Sequence, residues 1–183
     1  HLLNDKVEVY TDRIDKVIQF LEKQSWVNKN EIHVFGHSQG SRVAVVAAAT
    51  NKKIKSVGLF GYNPFGRLEH FIRQARKDAA TGKITWEEAD VIINDNIDFM
   101  KDLQVEDSIH AKPHYTSWKS FSNSTLKELL SLKQPIYISY GTEDNVSDQC
   151  DMLPLLFIEN GKSNYFVKRY AGLEHNFFPI NKN

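Results

Sequence analysis

The chain has 183 residues, 41% of them hydrophobic, with 23 Lys+Arg against 23 Asp+Glu. That is long enough for one ordinary domain with a buried core, and too apolar for a disordered chain. A formal net charge of zero offers neither a basic excess for nucleic acid nor an acidic tail for a charged partner.

The longest apolar run, residues 43–49, is too short and too alanine-rich to cross a bilayer. No signal-peptide pattern opens the chain. Cys150 is the one cysteine, so no internal disulfide forms, and no zinc spacing surrounds it. It reads as a part-buried helix residue. These features favour a soluble protein, the cytoplasm slightly over other compartments, without deciding between them.

In chain order, residues 9–24 are predicted helical. Ile14, Val17, Ile18 and Leu21 fall on one face at i, i+3, i+4 and i+7, with Thr11 as the expected N-cap. Residues 31–36 are rich in strand formers and end at Gly36. A helical run follows from Gln39 to Thr50, then a second strand from Ile54 to Phe60.

The block from about 61 to 133 is predicted to be a helical insertion between two strands. It holds helices over 67–80 and 85–102, an irregular stretch over 103–123, and a helix over 125–132. Thr85 and Glu88 have capping-box spacing. Beyond it come a strand over 135–140, a helix over 148–160 stopped by Gly161, and a strand over 165–170. Strands alternating with helices imply right-handed crossovers and a parallel sheet covered on both faces. No composition break asks for a second domain, so residues 1–183 read as one α/β domain carrying the insertion.

Gly36-His37-Ser38-Gln39-Gly40 fits the pattern G-x-S-x-G between a strand and a helix. A sharp turn there lifts the serine hydroxyl clear of the sheet. Glycines two before and two after let strand and helix pass closely, and the backbone N–H of Gln39, at the helix start, can face a developing oxyanion. A serine needs a base, and the base needs an orienting acid. Gly141-Thr142-Glu143-Asp144 follows the third strand, and Gly172-Leu173-Glu174-His175 follows the fourth. Parallel strands end on one edge, which brings both loops beside the elbow. Asp144 is favoured as the acid over its neighbour Glu143. Asp148 and Asp151 read as helix-start charges. His37 is expected to point away and pack beside the elbow, and His33 to be structural. His70, His110 and His114 belong to the insertion and are expected as surface or cap residues. His110 and His114 are four apart, but Pro113 opposes a helix there, so no metal site is expected.

The three segments GHSQG, GTED and GLEH resemble, in order and position, the nucleophile, acid and histidine segments of the α/β-hydrolase superfamily. The resemblance is somewhat closer to its dienelactone-hydrolase and prolyl-oligopeptidase-like branches, because the acid follows the penultimate strand in a G-T-x-D turn. The resemblance implies Ser38 as nucleophile, His175 as general base, Asp144 as orienting acid and Gln39 as one oxyanion donor. It implies hydrolysis of an ester, thioester or amide through an acyl-enzyme, with no cofactor and a small-molecule or peptide substrate. An acyltransferase, or a non-catalytic binding protein on the same fold, is the alternative.

The resemblance covers the family's pattern only from the helix before the nucleophile strand. About four earlier strands, and the loop giving the second oxyanion donor, are expected to lie outside these residues. A missing N-terminal segment or an oligomer partner is the expected complement of the resulting open strand edge. The insertion is expected to form a cap, with Tyr62, Phe65, Phe71, Trp86, Phe99, Tyr115 and Trp118 filling its contacts or lining a pocket.

Overall fold

The computed structural model describes residues 4–180. They divide into two compact units. One holds 4–6 with Phe65–Ser124, and the other holds Val7–Pro64 with the chain from Thr125 onward.

The second unit contains β1 (Ile32–His37), β2 (Ile54–Phe60), β3 (Ile136–Gly141) and β4 (Tyr165–Tyr170). They form one sheet in the order β1-β2-β3-β4, every pair parallel. Its helices are α1 (Val7–Leu21), α2 (Gln39–Thr50), α7 (Leu126–Ser131) and α8 (Leu153–Glu159), with a 3₁₀ turn at Asp148–Met152. Alternation decides which side of each strand is buried. Ile32, Val57, Leu59, Ile136, Ile138 and Tyr140 pack with Ala44, Val45 and Ala48 of α2, Leu129 of α7 and Phe157 of α8. The alanines of α2 let that helix lie close to the strands, which is why so apolar a run sits there.

The opposite face carries a row of rings, one from each strand: Phe35, Phe60, Tyr137 and Phe166. Successive centroids are 6.4, 5.9 and 5.5 Å apart, the last pair stacked. Phe35 lies across Gly58, where a Cβ would come within 2.4 Å of its ring. Phe35 and Phe166 remain 70% and 57% exposed, so burial on this face falls short of that expected of a parallel sheet. Among the described residues β1 pairs with β2 alone, which makes it an edge strand. A cleft of about 650 Å³ runs between α1, β1 and the start of α2, lined by Tyr10, Ile14, Val17, Val34, Phe35 and Gln39 among others.

The other unit contains α3 (Arg67–Ala80), α4 (Trp86–Asp102), α5 (Glu106–Ala111) and α6 (Tyr115–Ser122). Thr85 and Glu88 complete the capping box: the hydroxyl accepts the Glu88 N–H at 3.1 Å, and the carboxylate accepts the Thr85 N–H at 2.8 Å. Leu68, Leu103 and Tyr115 centre its core, with Phe99 and Trp118 packed against them. Arg67 reaches over the Trp118 and Phe121 rings.

Three sequence expectations need correction. Residues 103–123 are not irregular, because α5 and α6 form on either side of Pro113; the proline separates two short helices rather than abolishing both. Thr11 is not an N-cap. The helix starts at Val7, and the Thr11 hydroxyl donates to the Val7 carbonyl one turn back. The helix expected over 148–160 is a 3₁₀ turn followed by α8, with Pro154 at its N-terminal end.

Candidate active site

Ser38 sits between the end of β1 and the first residue of α2 with φ 54° and ψ −119°. A side chain is disfavoured there, at a cost of about 1–3 kcal/mol, and the surroundings hold it in place. The Ser38 N–H donates to the Phe60 carbonyl at 2.8 Å, and its own carbonyl accepts from the Ser41 hydroxyl and the Ser41 N–H. Gly36 explains the tightness of the turn. A Cβ on it would lie 2.1 Å from the Gly40 carbonyl oxygen, so strand and helix meet backbone to backbone. Gly40 differs from the sequence argument: a Cβ there would meet nothing within 4 Å. Its backbone makes the close approach, and its lack of a side chain does not. As the first residue of α2, Gln39 carries a backbone N–H with no acceptor inside the helix.

The strands deliver the other two loops to the same end of the sheet. Thr142 N–H donates to the Tyr170 carbonyl, Glu143 N–H to the Leu173 carbonyl, and Gly172 N–H to the Thr142 hydroxyl, at 2.9, 3.0 and 2.9 Å. These bonds zip the loop after β3 to the loop after β4. Gly141 makes the zip possible, because a Cβ there would lie 1.9 Å from the Leu173 oxygen. The Glu174 carboxylate then accepts the Asn176 and Phe178 N–H groups, holding a turn in which Phe177 takes φ 64°.

Within this frame His175 Nε2 lies 2.8 Å from Ser38 Oγ, and His175 Nδ1 lies 2.9 Å from Asp144 Oδ2. Asp144 is 2% exposed, and its other oxygen accepts the Val146 and Ser147 N–H groups at 2.8 and 3.2 Å. Burial pushes the Asp144 carboxyl up. The hydrogen bonds from His175 and Ser147, the nearby imidazole charge and the Val146 amide outweigh it, leaving the carboxyl below its ordinary value. A carboxylate so held accepts the Nδ1 proton and leaves the Nε2 lone pair facing the serine hydroxyl.

The structure thus places Asp144, and not its neighbour Glu143, against His175. Asp151 is more than a helix-start charge: its Oδ1 accepts both the Tyr140 hydroxyl and Arg169 Nε at 2.5 Å, tying the 3₁₀ turn to β3 and β4. Burial pushes its carboxyl up, and these two partners more than reverse that. Cys150 is fully buried rather than part-buried, and burial raises its thiol well above the ordinary range; its Sγ donates to the Tyr62 carbonyl. His33 bridges Ser56 and Glu31. His70, His110 and His114 lie in the helical unit. Among the described residues no group of three His, Cys, Asp or Glu could hold a metal, and no helix is long and apolar enough to cross a membrane.

His37 is the residue the sequence misplaced. It does not point away: its Nε2 lies 2.9 Å from the His175 carbonyl oxygen, and the two rings are 5.0 Å apart. Its position next to the serine gave no sign of this, since the partner is 138 residues along the chain.

Solved structures with this arrangement of strands and helices exist. The α/β hydrolase GrgF from Penicillium sp. sh18 aligns at 15% identity and a TM-score of 0.57, over 93% of this chain and 65% of its own. The α/β hydrolase MGS-MChE2, from a Moroccan lagoon-sediment metagenome, aligns at 12% and 0.53, over 92% and 61%. The chain has an α/β-hydrolase fold. A puromycin-hydrolysing peptidase of Mycobacterium tuberculosis also matches, at 15% and 0.58, over 92% of this chain and 22% of its own. The chain spans less than two thirds of the length of GrgF and of MGS-MChE2. Residues 6–85, under half the chain, match the acetyl xylan esterase family model, a stretch that includes the Ser38 turn. No curated protein sequence matches.

Proposed function

We propose that this chain carries the catalytic centre of a serine hydrolase, with Ser38 as nucleophile, His175 as general base and Asp144 as its orienting acid. The single observation behind this reading is the continuous Ser38–His175–Asp144 hydrogen-bond chain, at 2.8 and 2.9 Å.

In this mechanism Ser38 Oγ attacks the substrate carbonyl carbon while its proton passes to His175 Nε2. The carbonyl oxygen becomes an oxyanion, which the Gln39 N–H at the start of α2 can receive. Collapse breaks the bond to the leaving group, and His175 returns the proton to it. The acyl-Ser38 ester is then hydrolysed by water, activated by His175 in the same way. Asp144 keeps its charge throughout, fixes the Nδ1–H tautomer and stabilises the imidazolium. No step calls for a cofactor. Of ester, thioester and amide, the match of residues 6–85 to acetyl xylan esterases favours a carboxylic ester. Of the block over 61–133 between β2 and β3, the helical part over Phe65–Ser124 is read as a cap-like insertion, while Tyr62 and Leu129 belong to the core of the sheet unit.

A fluorophosphonate probe followed by intact-mass measurement tests the reading. One adduct is expected, absent in Ser38→Ala and His175→Ala. An adduct that survives Ser38→Ala, or wild-type protein that takes none, refutes it.

A further inference from the structure

We propose that His37 is a positioning residue: it holds the backbone of His175 and so sets the height of the imidazole between Asp144 and Ser38. The inference rests on the hydrolase reading above and adds to it a residue outside the Ser38–His175–Asp144 set.

Three observations carry it. The first is the hydrogen bond between His37 Nε2 and the His175 carbonyl oxygen, at 2.9 Å. A backbone carbonyl has no proton to give, so the bonding proton sits on His37 Nε2. The second is the packing around it. The His37 ring lies 5.0 Å from the His175 ring and 6.3 Å from the Phe177 ring. The third is Gly61. At φ +57° it faces both histidines, and a Cβ there would come within 3.0 Å of His175 Cε1 and 3.3 Å of His37 Nε2. The slot holding the two rings therefore has no slack on that side.

The consequence is geometric. The Asp144 bond fixes the rotation of the His175 ring about its side chain. It does not fix the main chain from which the ring hangs. The His175 backbone lies in the loop after β4, held by Glu174 bonds on its C-terminal side. His37 anchors it from β1, one residue before Ser38. Nucleophile and base are thus referenced to one another through adjacent residues, independently of the acid. The two histidines must also adopt opposite tautomers. His37 keeps its proton on Nε2, while His175 keeps its own on Nδ1, leaving Nε2 free to accept from Ser38.

Two substitutions separate positioning from packing. His37→Phe keeps a ring and loses the donor; His37→Gln loses the ring and keeps an amide donor. The rate of Ser38 labelling by a fluorophosphonate is measured for each, beside thermal unfolding. Loss of the donor is expected to slow labelling about tenfold, the scale of one neutral hydrogen bond, and His37→Gln to stay within about threefold of wild type. Imidazole ¹⁵N spectra of the unmodified protein should show Nε2–H for His37 and Nδ1–H for His175, a readout that stands even if His37→Phe does not fold. Wild-type labelling by His37→Phe, equal slowing in both variants, or an Nδ1–H tautomer at His37 overturns the proposal. If wild-type protein takes no label, the hydrolase reading itself fails and this one falls with it.

Discussion

Asp144→Asn is the sharpest perturbation of the site, because it changes one atom and almost no volume. The wild-type carboxylate accepts three hydrogen bonds: Val146 and Ser147 N–H groups on Oδ1 and His175 Nδ1–H on Oδ2. An asparagine can satisfy the first two with its carbonyl oxygen. Its NH₂ then faces the Nδ1–H of His175, donor against donor. The imidazole escapes by moving its proton to Nε2, where it points at Ser38 Oγ and can no longer accept. A wrong tautomer of this kind in Ser-His-Asp triads costs about 10⁴ in rate, which is about 5.4 kcal/mol of barrier. The second-order rate constant for Ser38 phosphonylation, measured at pH 7 on folded protein, is the assay. A loss of less than tenfold would refute the argument that Asp144 sets the tautomer. The same variant tests the depressed carboxyl. A carboxyl held below its unfolded value of about 3.9 contributes stability above that pH and loses it as pH falls through the folded value. The stability gap between wild type and Asp144→Asn, read from urea midpoints, should be widest near neutrality and close below about pH 4.

Ser38 stores strain that glycine would relieve, so Ser38→Gly is expected to be about 1 kcal/mol more stable than Ser38→Ala by urea denaturation, with both unlabelled by the probe; equal stability would remove the argument from φ 54°. Gly36→Ala drives a methyl into the Gly40 carbonyl and should cost about 3 kcal/mol or more, whereas Gly40→Ala meets open space in a helix and should be neutral or gain up to about 1 kcal/mol. If the two behave alike in denaturation, the close approach is misassigned. Thr85→Ala removes the hydroxyl of the capping box and should destabilise the helical unit by about 1 kcal/mol, seen as faster amide exchange at the start of α4.

What the sequence made legible was whatever depends on local order. β1 and the elbow lie in one short stretch, where a run of strand formers, a glycine pair and a helical run each have local causes. The acid and histidine loops could be placed because the parallel strands before them end on one edge, so chain order sufficed to gather three distant segments. The capping box at Thr85 is equally local, and its spacing is its geometry. The reading fell short where neither local pattern nor strand order announces a distant partner. Residues 103–123 looked irregular, when Pro113 only divides two short helices, because Tyr115 finds burial in a core with Leu68 and Leu103. Asp151 does sit in the first turn of the 3₁₀ segment, as a helix-start charge would, but nothing nearby announces its second role with Arg169, eighteen residues on.

His37 is the instructive failure. Its neighbours in sequence suggest a residue pushed aside by the elbow, and the pleat does send it to the other side of β1 from Gly36. That side is where the loop after β4 arrives, carrying the His175 carbonyl. A polar ring placed there is therefore not set aside from the site but faces the main chain of His175. In this chain strand geometry aims His37 at the loop that carries His175, and the 2.9 Å contact with the His175 carbonyl is the result.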